Sequence, residues 1–282
     1  MRLATIVDQG RLTVAVVGDG AVLPIKLPER GFESIRTIAA GGSSALDSIA
    51  TWAEGQPDTA YRPLGALTLA PAVPNPGAIY TIAHNYRDPE NPDDATPKRP
   101  VVFGKAANSV AGHRSTLSWD RTLTDNVDGE CELAIVIGSD AVAVPRSEAM
   151  AHVFGYTCIN DVTSRDAWLD GDQWLLGKSM PGFCPVGPWI VTADELDPTD
   201  LRLGCTINDE TIQDGRTSQM RFAVPDVIAY LSRHVKLQAG DLIATGTPAR
   251  LESPPGPERR LRPGDEVTVW IESIGELTTI IA

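Results

Sequence analysis

Two glutamates separated by one residue open an apolar run, and this spacing is the pattern in the sequence best suited to chemistry. The segment reads Glu130-Cys131-Glu132 and leads into the apolar residues 133–137. Because the side chains of a β-strand alternate between its faces, a strand here places both carboxylates on one face and Cys131 on the other. Two like charges on one face of a strand that enters a core are destabilising unless a positive group lies between them.

A third carboxylate follows roughly thirty residues later, where Asp161 comes just after a second apolar run at 153–159. Three carboxylates without a neighbouring histidine or cysteine pattern suit a hard, oxygen-preferring cation such as Mg²⁺, Mn²⁺ or Ca²⁺, and not zinc. Glu130, Glu132 and Asp161 are therefore the predicted metal ligands. The alternative is an ordinary surface ion pair between one of the glutamates and an arginine, which the spacing alone leaves open.

Lys178, in the segment Gly177-Lys178-Ser179, is the cation best placed in the sequence to act on such a site. A phosphate-binding loop is excluded, because the upstream Gly171 is one residue out of register and the residues between are bulky. A lysine near acidic groups can instead neutralise an enolate or a carboxylate. An ordinary surface position is the alternative for this lysine.

The three carboxylates and Lys178 must be positioned by the surrounding strands and loops. Turn residues divide the chain into short apolar runs, which are typical of strands. The N-terminal part is predicted to contain three strands and one helix, at 3–7, 12–17, 21–25 and 44–55. Three prolines within 69–77 disfavour both helix and central strand. The sequence therefore predicts a small N-terminal α/β domain at 1–70 and a main domain at 71–282.

In the main domain, short apolar runs predict a mainly β architecture with some α-helix, which is the α+β class. The runs lie at 78–83, 101–103, 133–137, 186–191, 203–207, 242–244 and 267–271. The clearest helix candidates are 147–152 and 224–234, where Pro225 fits the first turn. The proline-rich, acidic segment 89–100 is predicted to be a mobile loop or a lid.

The charge balance excludes several classes of function. The 282 residues carry a formal net charge of −13 without a basic run to offset it, so neither nucleic acid nor an anionic membrane is an expected partner. No apolar stretch is long enough to span a bilayer, and the N-terminus lacks a signal-peptide core. The cysteines show no CxxC spacing and indicate free thiols, which predicts a cytoplasmic location.

Several motifs follow one another in a fixed order along the main domain. They are NYRD at 85–88, the Glu130-x-Glu132 strand, GYT at 155–157, NDVTSRD at 160–166, GKS at 177–179, PVGP at 185–188, NDE at 208–210 with Gln213 and Thr217, GDLIATGTP at 240–248 and LRPGD at 261–265. Each motif alone is weak, whereas the ordered set is specific. Over about residues 75–282 the chain resembles the fumarylacetoacetate hydrolase family. The resemblance implies a mixed β-roll or β-sandwich catalytic domain, usually a homodimer.

The resemblance also implies an activity and a set of site residues. Family members hydrolyse C–C bonds in acylpyruvates and related diketo acids, or decarboxylate, isomerise or tautomerise 2-oxo acids. One Mg²⁺, Mn²⁺ or Ca²⁺ would be held by the three carboxylates. Lys178 and Arg165 match positions near the substrate oxyanion, and Thr247 matches a substrate contact. Asp88 matches a position that helps to hold the metal in some members.

The sequence departs from the family pattern at the pair that activates water. Many hydrolytic members carry a histidine directly after NYxD and a glutamate three residues later, but this chain has Pro89 and Pro92, which cannot take a proton. Trp168 replaces a frequent glutamine near the oxyanion. Without the usual water-activating pair, the sequence favours lyase or isomerase chemistry over hydrolysis. The alternative is a non-catalytic or biosynthetic protein that retains the fold.

His84 precedes the NYRD motif and is the predicted substitute base, because a histidine can exchange protons near neutral pH. A structural role for this histidine is the alternative. Tyr86 and Arg87 are predicted to orient a substrate carboxylate. The sequence thus predicts an enzyme that binds a small 2-oxo or 1,3-dioxo acid and stabilises an enolate through a divalent metal and Lys178.

Overall fold

The computed structural model describes residues 1–25, 31–32, 34–88, 97–166, 173–251 and 260–282, and strands dominate them. The strands are β1 (Arg2–Asp8), β2 (Arg11–Val17), β3 (Ala21–Pro24), β4 (Arg62–Pro63), β5 (Thr68–Leu69), β6 (Ile79–Ala83), β7 (Val101–Lys105), β8 (Val110–Ala111), β9 (Ser115–Leu117), β10 (Val127–Asp128), β11 (Cys131–Ile137), β12 (Val153–Asn160), β13 (Thr163–Ser164), β14 (Cys184–Thr192), β15 (Arg202–Ile207), β16 (Glu210–Arg216), β17 (Leu242–Ala244), β18 (Glu266–Ile271) and β19 (Gly275–Ile281). The α-helices are α1 (Ile35–Glu54), α2 (Leu175–Lys178) and α3 (Val224–Ser232). Single 3₁₀ turns lie at Asp58–Ala60, Leu64–Ala66, Ala107–Ser109, Ala149–His152 and Thr217–Gln219. The predicted α+β class is confirmed.

Within the described ranges, the strands form a large sheet, a smaller sheet and a short two-stranded ladder. The large sheet has the order β4-β3-β2-β1-β14-β12-β11-β17-β6-β7, with β5 paired to β1 and β8 to β14. The smaller sheet has the order β16-β15-β18-β19-β9, and β10 pairs with β13. Strand β11 lies in the interior of the large sheet, antiparallel to β12 on one edge and to β17 on the other. The segment that carries the paired glutamates is therefore held by two neighbours.

Strand β11 is buried on both faces and separates two apolar cores. Cys131 and Leu133 belong to the core between the two sheets, whereas Ala134 and Val136 belong to the core that also contains the apolar face of α1. This alternation confirms the predicted strand and places Glu132 on the face opposite Cys131. The carboxylates thus point away from the core that joins the sheets.

The N-terminal strands extend the large sheet. Strand β1 pairs with β14 through Leu3 and Ile190, and the core beneath α1 contains Leu3 and Ile38 together with Ala134 of β11. Both the sheet and this core therefore run across residue 70. The division into domains at 1–70 and 71–282 stays a prediction, and the two parts share a continuous sheet.

The helices differ from prediction in two places. Helix α1 begins at Ile35, well before the predicted residue 44, and its backbone is non-helical at Gly42 (φ 55°, ψ −144°). The prediction of a helix at 147–152 is wrong, because only the 3₁₀ turn Ala149–His152 forms there. The predicted helix at 224–234 is confirmed by α3, with Pro225 in its first turn. None of the described helices is both long enough and apolar enough to cross a bilayer.

Candidate metal centre

Strands β11 and β12 bring the three predicted carboxylates together. Glu130 precedes β11, Glu132 lies on it and Asp161 follows β12. One ligand oxygen from each lies within 4.8 Å of the others, and all three residues are buried. The Asp161 amide donates to the Glu130 carbonyl at 2.9 Å, and the Glu130 amide donates to the Asn160 side chain at 3.0 Å. Backbone pairing of the two strand ends therefore fixes the spacing of the carboxylates.

Lys178 and Arg165 contact the same carboxylates. Lys178 Nζ lies 2.8 Å from Glu130 Oε2 and 2.6 Å from Asp161 Oδ2, and Arg165 donates to Glu130 Oε1 at 2.5 Å. The Lys178 side chain is 6% exposed, so the alternative of an ordinary surface lysine is wrong. Burial lowers the pKa of Lys178, but Asp161 and Glu130 outweigh burial and raise that pKa above its usual range. The ammonium group is therefore a fixed positive charge of the centre.

Lys105 is a second buried lysine at Asp161, and the sequence analysis did not single it out. It ends β7, its side chain is 0% exposed, and its Nζ lies 2.5 Å from Asp161 Oδ1 and 3.2 Å from the Val162 carbonyl. Each oxygen of Asp161 therefore contacts a different ammonium group. The two residues are 56 positions apart, and no spacing pattern connects them, so only the sheet pairing reveals the contact.

Replacing Lys105 with methionine is expected to lower the free energy of unfolding by about 3 kcal/mol, because a buried carboxylate loses one partner. The matched control is Lys236→Met. Lys236 pairs with Asp140 at the same 2.5 Å, but the two side chains are 52% and 56% exposed. The control is expected to cost less than about 1 kcal/mol. Chemical denaturation measures both values, and equal losses would contradict the argument from burial.

The two glutamates experience opposite electrostatic environments. Burial raises the pKa of Glu130, but Lys178 and Arg165 outweigh burial and bring this pKa to about 2. Burial, Asp161 and Glu130 all raise the pKa of Glu132 well above its usual range. Glu132 accepts a hydrogen bond from the Gly246 amide at 2.7 Å, and it forms no ion pair with any residue that the structure describes. A hard divalent cation among the carboxylates would supply the missing positive charge, so the donor set fits such a metal.

Asp128 is a fourth buried carboxylate beside the centre, and the sequence analysis assigned it no role. Its side chain is 1% exposed and pairs with Arg165 at 3.1 Å, with Arg260 at 3.5 Å and with Arg250. Arg165 is thus shared between Asp128 and Glu130. Asp128 therefore orients the guanidinium group that pairs with one of the candidate metal ligands.

A cavity of about 370 Å³ opens onto the carboxylates. Part of its wall is aromatic: the ring centroids of Phe103 and Trp174 are 5.1 Å apart, and those of His84 and Trp174 are 6.4 Å apart, both pairs edge to face. Lys178 Nζ lies 5.0 Å from the centroid of the Phe103 ring. A charged floor beside an apolar wall suits a small anionic ligand that also carries an apolar part.

A family model described as "Fumarylacetoacetate (FAA) hydrolase C-terminal" matches residues 78–282, a range that contains the carboxylates and every residue shown above to contact them. The chain belongs to the fumarylacetoacetate hydrolase family. The predicted resemblance is therefore confirmed.

Solved structures of this family resemble the chain over its whole length. A fumarylacetoacetate hydrolase from the psychrophilic Exiguobacterium antarcticum is 32% identical with a TM-score of 0.86, covering 100% of this chain and 99% of that one. A maleylpyruvate hydrolase from Sphingobium sp. SYK-6, in complex with manganese(II) and pyruvate, is 28% identical with a TM-score of 0.82, covering 100% and 99%. A 2-hydroxyhepta-2,4-diene-1,7-dioate isomerase from Mycobacterium marinum is 30% identical with a TM-score of 0.78, covering 100% and 98%. The family thus includes both hydrolases and isomerases.

Of the remaining predicted site residues, the cavity brings most together. His84, Tyr86, Asp88 and Thr247 all line it. His84 is exposed and has a positive φ of 55°, an uncommon backbone conformation for a residue other than glycine. Arg87 is also exposed, but it is not among the residues that line the cavity, and its amide donates to the Gln219 carbonyl at 3.0 Å.

The positions at which the sequence departs from the fumarylacetoacetate hydrolase pattern are Pro89, Pro92 and Trp168. All three lie outside the described residues, as does most of the predicted loop at 89–100. The described neighbours Asp88, Arg165 and Trp174 line the cavity.

Proposed function

We propose that the chain is a divalent-metal-dependent enzyme that acts on a 2-oxo or 1,3-dioxo acid by way of an enolate. The observation that carries the proposal is the buried set of Glu130, Glu132 and Asp161 beside Lys178, at the floor of one cavity. The three carboxylates would hold Mg²⁺ or Mn²⁺, with Ca²⁺ as a further candidate. When bound, the cation supplies Lewis-acid stabilisation of negative charge on the substrate oxygens. The reaction is C–C bond hydrolysis, decarboxylation or isomerisation.

The protein's own groups contribute charge and orientation. Lys178 supplies a positive charge that is already paired with carboxylates and therefore needs no reorganisation when negative charge develops on the substrate. Burial, Cys131 and Glu132 raise the pKa of Tyr86 well above its usual range, so its phenol stays protonated. The Tyr86 hydroxyl is inaccessible to solvent, and Thr245 lowers this pKa by less than burial raises it. Because Tyr86 lines the cavity, it is the proposed residue for orienting an anionic group of the substrate.

Two relatives support the substrate class. The Sphingobium maleylpyruvate hydrolase was solved with manganese(II) and pyruvate, which supports a divalent metal and a 2-oxo acid. The Mycobacterium marinum isomerase acts, by its name, on an unsaturated hydroxy dicarboxylate, which supports chemistry other than hydrolysis. Pro89 and Pro92 occupy the positions at which hydrolytic members carry their usual base, so they also favour chemistry other than hydrolysis.

The test is calorimetric titration of the metal-free protein with Mn²⁺, followed by pyruvate or oxalate. We expect the 2-oxo acid to bind only after the metal. A panel of acylpyruvates, oxaloacetate and unsaturated 2-hydroxy acids then measures turnover with and without Mn²⁺. Metal-dependent ligand binding without turnover of any of them would favour the second candidate, a non-catalytic binding protein, which the two prolines also support. Ligand binding that is indifferent to Mn²⁺ would contradict both.

His84 is the proposed general base, because it is the histidine among the described residues that line the cavity. His84→Gln is expected to lower kcat by about a hundredfold, since a glutamine cannot accept or release a proton. The control is His234→Gln, because His234 packs on Tyr230 at the end of α3 and does not line the cavity. A wild-type kcat in His84→Gln would return this histidine to a structural role.

A further inference from the structure

The start of strand β11 lacks a backbone partner on one edge, and two side chains take its place. Strand β17 pairs with β11 only from Ala134 to Val136. In an antiparallel pair, the N–H and C=O groups of one residue point to the same edge of the strand. At Cys131 this edge is occupied by Gln213, whose Oε1 accepts from the Cys131 amide at 2.9 Å, and by Thr247, whose hydroxyl donates to the Cys131 carbonyl at 2.8 Å.

Gln213 and Thr247 are also joined to each other, which closes a ring of hydrogen bonds around Cys131. Gln213 Nε2 donates to Thr247 Oγ1 and to the Pro248 carbonyl, each at 2.8 Å. The orientation of the Gln213 amide is unambiguous, because the Cys131 amide can only donate and the Pro248 carbonyl can only accept. The proton of the Thr247 hydroxyl is directed at the Cys131 carbonyl, so this hydroxyl has no proton left to donate to a ligand in the cavity.

Gln213 reaches this position from the smaller sheet through an irregularity in β16. The register of β15 and β16 changes so that Cys205 faces Gln213 while Thr206 faces Thr211, which leaves Ile212 as the extra residue of a β-bulge. Ile212 and Gln213 are consequently both buried, at 3% and 1% exposure, although adjacent residues of a regular strand face opposite sides. The bulge therefore turns a polar side chain towards the other sheet.

We infer that Gln213 is a positioning residue of the carboxylate centre: it fixes the peptide group between Glu130 and Glu132 and the direction of the Thr247 hydroxyl. Cys131 is the residue that connects the two glutamates, and β12 and Asn160 hold only the other edge of this segment. Anchoring both edges sets the separation of the carboxylates. The inference rests on the proposed function in one respect, which is that these carboxylates hold a cation.

The test compares Gln213→Met with Gln219→Met. Gln219 is a matched control, because its Oε1 also accepts from a backbone amide, that of Arg216 at 2.6 Å, but it contacts no candidate metal ligand. In metal-free protein, amide hydrogen exchange of a peptide that covers 128–137 is expected to speed up in Gln213→Met and to stay unchanged in Gln219→Met. The Mn²⁺ affinity of Gln213→Met is expected to fall by at least about tenfold, as for other residues that support metal ligands.

Thr247 variants test the same ring from its other side. Thr247→Val is expected to lower Mn²⁺ affinity, and Thr247→Ser, which keeps the hydroxyl, is expected to restore it. Because both side chains act through Cys131, the double variant Gln213→Met/Thr247→Val should lose less affinity than the product of the two single effects. A folded Gln213→Met protein with wild-type Mn²⁺ affinity and unchanged exchange would overturn the inference. Failure of the wild-type protein to bind Mn²⁺ would instead overturn the proposed function, and the exchange comparison would still report on the ring.

Discussion

A protein in which alanine replaces Glu132 is expected to bind neither Mn²⁺ nor Mg²⁺ measurably. Glu132 supplies one of three carboxylates in an all-oxygen set, and it is the one that forms no ion pair with any described residue, so its charge is available to a cation. Removing it leaves two ligands that already contact Lys178. The affinity should fall by more than about a hundredfold, beyond the usual effect of losing a supporting residue. Titration calorimetry of the metal-free protein measures this directly.

Two further variants make the result specific. Glu276→Ala removes an exposed glutamate from β19 and should leave Mn²⁺ affinity unchanged. Glu132→Gln keeps the shape and the hydrogen bond from the Gly246 amide but removes a charge that lies beside Asp161 and Glu130. The metal-free form of this variant should therefore melt at a higher temperature than the metal-free wild type, although it binds metal poorly. Undiminished Mn²⁺ affinity in Glu132→Ala would exclude these carboxylates as the metal site.

Lys178→Met is expected to lower kcat by about a hundredfold or more in metal-loaded protein, because it removes the positive charge that faces the developing enolate. The metal affinity should not fall. Lys178 occupies oxygens of Glu130 and Asp161 that a cation would also use, so its removal leaves these oxygens freer to bind metal. Steady-state kinetics on the substrate identified by the panel, combined with calorimetry, separates the two effects.

Lys178→Arg is the informative companion variant. It retains the charge but replaces a compact ammonium group with a planar fork that does not fit the same two oxygens equally well. An intermediate loss of kcat is expected if charge is the main contribution. Wild-type turnover in Lys178→Met would show that this lysine only stabilises the metal-free carboxylates.

The paired glutamates could be predicted because strand alternation is a strictly local rule. Glu130 and Glu132 had to share a face once β11 was recognised, and the structure places them together with Asp161. The ordered motifs then located Lys178, Arg165 and Thr247 on the same cavity. Local periodicity and the order of the motifs were therefore sufficient to predict the charged residues at the floor of the cavity.

The contacts that were missed join the centre through long-range pairing. Lys105 reaches Asp161 from the end of β7, and Gln213 reaches Cys131 from the other sheet by way of a bulge. Nothing in the local sequence of Lys105 distinguishes it from an ordinary strand residue, and the motif that contains Gln213 does not indicate what its side chain contacts. Such contacts depend on the order of strands in the sheets, which hydrophobic pattern alone does not determine.

Helix α1 illustrates a different limit. The Gly41-Gly42 pair has low helical propensity, and Gly42 adopts a positive φ that interrupts the helix. The helix predicted from the sequence therefore begins at residue 44, after the pair. The residues before it, Ile35 and Ile38, are buried in the core beneath α1, so tertiary packing recruits them despite the glycines.

The N-terminal strands join the rest of the large sheet at β14, and this attachment separates the effects of changing the segment from the effects of losing it. Strands β14 and β12 lie between β1 and β11, so insertions or substitutions in β2, β3 and β4 are insulated from the spacing of the carboxylates. Loss of the whole N-terminal segment would have a different effect. It would expose the edge of β14 and the apolar surface that Leu3 and Ile38 cover, and an exposed strand edge favours association between molecules. Changes in β2, β3 and β4 are thus expected to leave the carboxylates undisturbed, whereas β1 and α1 are needed to cover β14 and the core beneath α1.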